Sequence, residues 1–179
     1  MGAIVAKEEW LNLQVDKFES KLLGYVRRFV TMEIAQEIVQ DAFLRLWEEG
    51  PAKVEGRELQ WLYCVCRNMA FNINKKALKG SRNAFELTER RPNDSIELKL
   101  VKLEQIDSVY KIIGSLSPQA QEVIRFRFVD GFAYKEIAEI TGHSLSYVGV
   151  LIHEAIAKVR HGMEEEESQP IKVGNETVE

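Results

Sequence analysis

The side chains best suited to chemistry in this sequence are cations, amides and one aromatic, and what they suit is contact with phosphates and bases. Between Trp61 and Arg82 the chain carries Arg67, Lys75, Lys76, Lys79 and Arg82, and no Asp or Glu. Cations along one helix face neutralise phosphates. Phe71 among them offers a face on which an unpaired base can stack. Asn68 and Asn72 add amides that can donate to and accept from base edges. An ordinary solvated basic face with core aromatics is the alternative reading. A second set follows Gly142-His143: Ser146, Tyr147, Gly149, Val150, His153 and Glu154 are the outward candidates of a short helical hairpin, with Lys158 and Arg160 behind them. From Ser144 to Ala157 there is no Lys or Arg, so the commonest guanine contact is missing. A third set is acidic: Glu33, Glu37 and Asp41 lie at successive i, i+4 positions. They suit a basic partner protein or simple solvation, but not a paired-carboxylate catalytic site, because no His or burial signal accompanies them.

Other chemistry is excluded by spacing. His143, His153 and His161 form no zinc pattern. Cys64 and Cys66 fall on roughly opposite sides of a helix, unsuited to a disulfide or a shared metal, and a reducing cytoplasm is the simplest setting. We expect no cofactor, no metal and no catalysis. No apolar run reaches bilayer length, so no membrane insertion is expected, and Met1–Trp10 lacks the pattern of a secretory signal.

The elements that must position these groups are helical. Phe18, Leu22, Tyr25, Val26 and Phe29 follow one face; Ile34, Ile38, Val39, Ala42, Phe43, Leu46 and Trp47 follow the next, ended by Gly50-Pro51. Ala52–Glu58 is polar and reads as a loop. Leu59, Leu62, Tyr63, Cys66, Met69, Ala70 and Ile73 predict a third helix, capped by Gly80. Residues 81–95 are rich in Ser, Arg, Asn, Asp and Pro and read as a linker. Helical spacing resumes at Ile96 and runs to Ile113. Ser117-Pro118 then opens a helix ended by Asp130-Gly131, carrying Val123, Ile124, Phe126, Phe128 and Val129. Tyr134–Thr141, the turn Gly142-His143 and a helix to about Arg160, capped by Ser144 or Ser146, make a helix-turn-helix. After Gly162 the chain reads as disordered.

The 179 residues carry 24 Lys and Arg against 28 Asp and Glu, a formal charge of −4 that would argue against nucleic acid if it were evenly spread. It is not. Residues 1–82 hold 13 basic and 11 acidic side chains, 111–160 hold 6 and 5, and 161–179 hold 1 and 6. The deficit sits at the end of the chain. With 45% hydrophobic residues and only 11 Gly and 4 Pro, the fold class is all-α: two small helical domains, the second with the helix-turn-helix. The expected organisation is a first domain over 1–82, a linker over 83–107, a second domain over 108–162 and an acidic tail over 163–179.

The order of these parts resembles the bacterial RNA polymerase sigma factors of the small, two-domain extracytoplasmic-function (ECF) type. The likeness is carried by Glu37-Ile38-Val39-Gln40-Asp41-Ala42-Phe43-Leu44-Arg45-Leu46-Trp47, by Trp61-Leu62-Tyr63 with Arg67-Asn68, by Leu116-Ser117-Pro118, and by Tyr134-Lys135-Glu136-Ile137-Ala138-Glu139-Ile140-Thr141-Gly142. The resemblance implies a regulated factor that binds core RNA polymerase and promoter DNA and directs promoter-specific initiation. By it, Glu37, Gln40 and Asp41 contact the core enzyme, and Arg67, Asn68, Phe71, Asn72, Lys75, Lys76 and Lys79 face the −10 element. Lys135, Ser144, Ser146, Tyr147, Gly149, His153, Lys158 and Arg160 face the −35 element, and the Ala52–Glu58 loop holds a flipped base. A sigma-like module that binds polymerase or a regulator without reading promoters is the alternative.

Two departures from the family pattern stand out. Ile34-Ala35-Gln36-Glu37 occupies a stretch that usually holds more acids, and Gly149, Leu151, Glu154 and Ile156 occupy positions that are commonly basic. Thr31, the only threonine in the first 87 residues, precedes the acid-poor helix. Phosphorylation there by a Ser/Thr kinase would add about −1.5 to −2 charges near a helix N-terminus; a plain helix cap is the other reading. Control by an anti-sigma protein is the commoner arrangement in the family.

Overall fold

The computed structural model describes the backbone of residues 2–80 and 103–167 and the side chains of residues 6–76 and 109–164. The side chain of Lys79, most of the expected linker and the end of the acidic tail lie outside the described residues. Every regular element among the described residues is an α-helix: α1 (Gly2–Val26), α2 (Met32–Glu49), α3 (Pro51–Val54), α4 (Glu58–Gly80), α5 (Leu103–Gly114), α6 (Pro118–Phe128), α7 (Tyr134–Thr141) and α8 (Leu145–Glu167). They divide into two compact units, the first holding α1–α4 and the second α5, α6, α8 and the first half of α7.

In the first unit α1, α2 and α4 pack on one another. The apolar stripe of α2 is buried through Ala35, Ile38, Val39, Ala42, Phe43 and Leu46. It meets Leu22, Tyr25 and Val26 of α1 and Leu62, Tyr63, Cys66 and Ala70 of α4, all fully buried. Each large side chain buried this way contributes roughly 1.5–3 kcal/mol. Tyr25 is the hub, edge-on to Tyr63 at 5.0 Å and to Phe29 at 5.2 Å. Burial pushes the Cys66 thiol up to about 12, so it behaves as a small core hydrophobe and not as a nucleophile.

Three local expectations are corrected here. The first helix is much longer than its clearest apolar spacing suggested, and Phe29 lies beyond its end in a turn closed by Phe29 N–H to Val26 O at 2.9 Å. The polar stretch Ala52–Glu58 is not all loop. Pro51 stands at the first position of α3, where its missing N–H costs nothing, and only Glu55–Arg57 form the turn into α4. Thr31 does sit at the N-cap of α2 in extended conformation, yet its hydroxyl accepts no backbone N–H. Instead the carboxyl of Glu33 is held below its usual range by its own backbone N–H and by the Thr31 hydroxyl.

In the second unit α8 packs on both α5 and α6. Leu116, Ala120, Val123, Phe126, Phe132, Ile137, Val148, Leu151, Ile152 and Ala155 form the core. Phe126 is buried as expected, but Phe128 and Val129, read from the same apolar run, are exposed because α6 ends and the chain turns there. A Cβ built on Gly162 would lie 2.5 Å from Ile112 Cδ1, so a residue without a side chain lets α8 lie close against α5.

The caps are well defined. Ser117 accepts from Ala120 N–H at 3.3 Å, with Pro118 following it. Glu136 reaches back to Ala133 N–H at 2.7 Å, the reciprocal half of a capping box. Gly142 takes a positive φ of 74° to end α7, and Ser144, not Ser146, caps α8 by accepting from Tyr147 N–H at 3.2 Å. Two boundaries differ from expectation. Leu103–Asp107, inside the expected linker bounds but also inside the helical spacing read from Ile96 to Ile113, belongs to α5, and α8 runs through Gly162 to Glu167, into the segment read as disordered. A single glycine does not stop a helix whose preceding turns are held by packing.

Candidate nucleic-acid interface

The α4 candidates form one surface. Asn68, Asn72, Lys75 and Lys76 are exposed, and Phe71 is 37% exposed among them. Arg67 and Phe71, four residues apart, stack: the guanidinium lies 4.4 Å from the ring centroid. The Phe29 ring is 5.4 Å from Phe71. One face of Phe71 is therefore covered by the guanidinium, while the residue as a whole stays exposed. A base would stack on the guanidinium plane backed by the ring, a surface as planar as the ring and positively charged as well. The turn after α1 is tied to this helix, since Asn74 Nδ2 donates to Phe29 O at 3.2 Å.

On α2 the residues Glu37 and Gln40 are exposed and Asp41 is half-buried. Asp41 is not a free charge, because Arg45 pairs with it at 3.0 Å. Sequence reasoning named Leu44 as part of a motif and missed its exposure. It is 56% exposed and follows Glu37, Gln40 and Asp41 on the same face. Its spacing against the buried stripe was the available signal.

The helix-turn-helix presents Ser146, Tyr147, Val150, His153, Glu154, Lys158 and Arg160 to solvent, while Gly149 is half-buried. Lys135 and Ser144 are exposed too. Tyr147 is edge-on to His143 at 5.0 Å, which fixes its ring. A second surface of this unit was not anticipated: an open apolar groove of about 560 Å³ lined by Ile113, Ile124, Phe128, Ile156, Val159 and Met163. Ile156 and Met163 fall off the main apolar stripe of α8, and that excess was the legible sign. Among the described residues no cluster of His, Cys, Asp and Glu could hold a metal, and no helix is long and apolar enough to cross a membrane.

The family description "Sigma-70, region 4" matches residues 112–161. The chain is 26% identical over 158 residues to RNA polymerase sigma factor YlaC of Bacillus subtilis, covering 82% of this chain and 88% of that protein. It is 25% identical over 140 residues to the ECF RNA polymerase sigma-E factor of Haemophilus influenzae, covering 72% and 74%. The chain is thus similar to RNA polymerase sigma factors, two of the relatives over about three quarters or more of their own length, and it carries the region 4 match within its second half. The fold agrees. The sigma factor RpoE, solved in complex with the anti-sigma factor NepR from Bartonella quintana, superposes with a TM-score of 0.63 at 18% identity, covering 86% of this chain and 96% of that one. The region 4 match starts inside α5 and ends inside α8, so it takes in the helix-turn-helix and most of the apolar groove.

Proposed function

We propose that this chain is a sigma factor of the ECF type that divides its work between its two units. The exposed face of α2, with Glu37, Gln40 and Leu44 beside the paired Asp41, docks on core RNA polymerase. The α4 surface of Arg67, Asn68, Phe71, Asn72, Lys75 and Lys76 binds the −10 element, with the Glu55–Arg57 turn at the flipped base. The second unit binds the −35 element through α8 and seats the polymerase flap in its apolar groove. The protein performs no covalent chemistry; the polymerase is the catalyst, and the setting is the cytoplasm.

The observation that carries this reading is the stacked Arg67–Phe71 pair at 4.4 Å among exposed amides and lysines. It is a surface suited to unpaired bases, on the helix where the family melts promoters. Regulation by an anti-sigma protein is supported by the NepR complex of the similar RpoE fold. At Thr31 the hydroxyl lies against the Glu33 carboxylate, so a phosphoryl group there would meet a like charge.

Reconstitution with core polymerase tests the proposal. Wild-type protein is expected to give promoter-specific run-off transcripts. Leu44→Asp is expected to lose core binding, and Arg67→Ala to keep core binding and lose promoter opening. Core binding with no specific transcript from a genomic promoter library would leave the chain as an interaction module. Equal transcription in cells by Thr31→Ala and Thr31→Glu removes the kinase reading.

A further inference from the structure

The outward side of α8 is unusual for a helix that meets DNA. Opposite its buried line of Val148, Leu151, Ile152 and Ala155 run Ser146, Val150, His153 and Ala157, all exposed, at i, i+4, i+7 and i+11. Val150, 48% exposed, is central to the first turns of that line, and Leu145 at the helix start is 55% exposed. No Lys or Arg occurs from Ser144 to Ala157, while the exposed cations Lys135, Lys158 and Arg160 stand outside that stretch.

This arrangement separates two tasks. Cations hold phosphates and carry no sequence information. Base identity is read from the groove floor, and there this helix offers a branched apolar side chain in place of the bidentate donor that guanine requires. The one group of the major groove that rewards an apolar contact is the C5-methyl of thymine. Glu154, exposed and able only to accept, matches a cytosine or adenine amino group and is repelled by the guanine O6/N7 edge. Gly149 has open space where a Cβ would be, so nothing beside Val150 keeps the backbone from the groove.

We propose that Val150 reads thymine methyl groups in the −35 element, making this a methyl-reading and not a guanine-reading recognition helix. The inference rests on the assignment of α8 to the −35 element, and its test separates the two. Holoenzyme made with the full chain is bound to a promoter selected from the library, and each −35 thymine is replaced in turn by deoxyuridine, which removes the methyl alone. At least one replacement is expected to weaken binding about three- to fivefold, the size of one buried carbon. Holoenzyme with Val150→Ala is expected to bind the thymine and uracil promoters equally. Because Val150 is exposed, that variant keeps its core, and its far-UV spectrum and melting serve as the control. Binding that depends on the −35 sequence but ignores uracil at every position overturns the methyl readout and leaves the −35 assignment standing. So does an unchanged thymine preference in Val150→Ala. Binding indifferent to a scrambled −35 sequence overturns both.

Discussion

The two helices that face nucleic acid in this reading, α4 and α8, are opposites in chemistry. On α4 cations, amides and an aromatic share one face, and Arg67 lies stacked on Phe71 at 4.4 Å. On α8 the outward line is Ser146, Val150, His153 and Ala157, with the helix's cations displaced beyond Ala157. The contrast follows from what each meets. Unpaired bases expose π-faces and a backbone that must be held, so planar cations serve both needs. A closed duplex hides those faces and shows only edges and methyl groups in its groove. Net charge is therefore a poor guide to nucleic-acid binding here, and the type of side chain at the contact is the better one.

The contrast can be broken most decisively at Arg67. Arg67→Ala removes the guanidinium plane and should cost about 1–3 kcal/mol of stacking, roughly a five- to 150-fold loss in promoter opening, read by permanganate footprinting. Lys158→Ala with Arg160→Ala should weaken duplex binding uniformly across sequences, with a salt slope shallower by about 0.9 for each phosphate that is no longer neutralised. A sequence-selective defect in that second variant, or none in the first, would erase the distinction between the units.

Packing gives the next largest effect. Gly162→Leu should destabilise the second unit by about 1–3 kcal/mol through the collision with Ile112, measured by urea unfolding, and Ile112→Ala in the same chain should restore part of the loss. The caps separate the units more finely. Ser117→Ala and Ser144→Ala should each cost about 0.5–2 kcal/mol, whereas Thr31→Ala, whose hydroxyl caps no N–H, should cost less than either. Smallest is a pH effect at Glu33. Its folded carboxyl is shifted down by its backbone N–H and the Thr31 hydroxyl. Its contribution to stability is therefore present above the unfolded glutamate value and is lost as pH falls through the lower folded one. Glu33→Gln should flatten the acid side of the stability profile, seen by comparing melting temperatures between acid and neutral pH.

Much of the fold was legible. The stripes of α2 and α8, the Ser117-Pro118 start and the Gly142 turn all rest on local rules of period, capping and backbone freedom that act within a few residues. What was missed is of another kind. The end of α8 was misplaced at Gly162, where packing against a neighbouring helix outweighs a local breaker. In the candidate site, residue types and their shared faces could be read, and the state of each group could not.

The sequence by itself determined that the protein is helical, that its second half holds a helix-turn-helix, and that cations gather on one helix and are absent from the start of another. Those are properties of composition and spacing. Only the tertiary structure decided that the Phe29 ring comes to lie beside Phe71, that Gly162 of α8 lies against Ile112 of α5, and that α5, α6 and α8 leave an apolar groove open. Each depends on which side chain comes to lie over which, set by how the helices pack and which rotamers that packing admits, and period alone carries no such information.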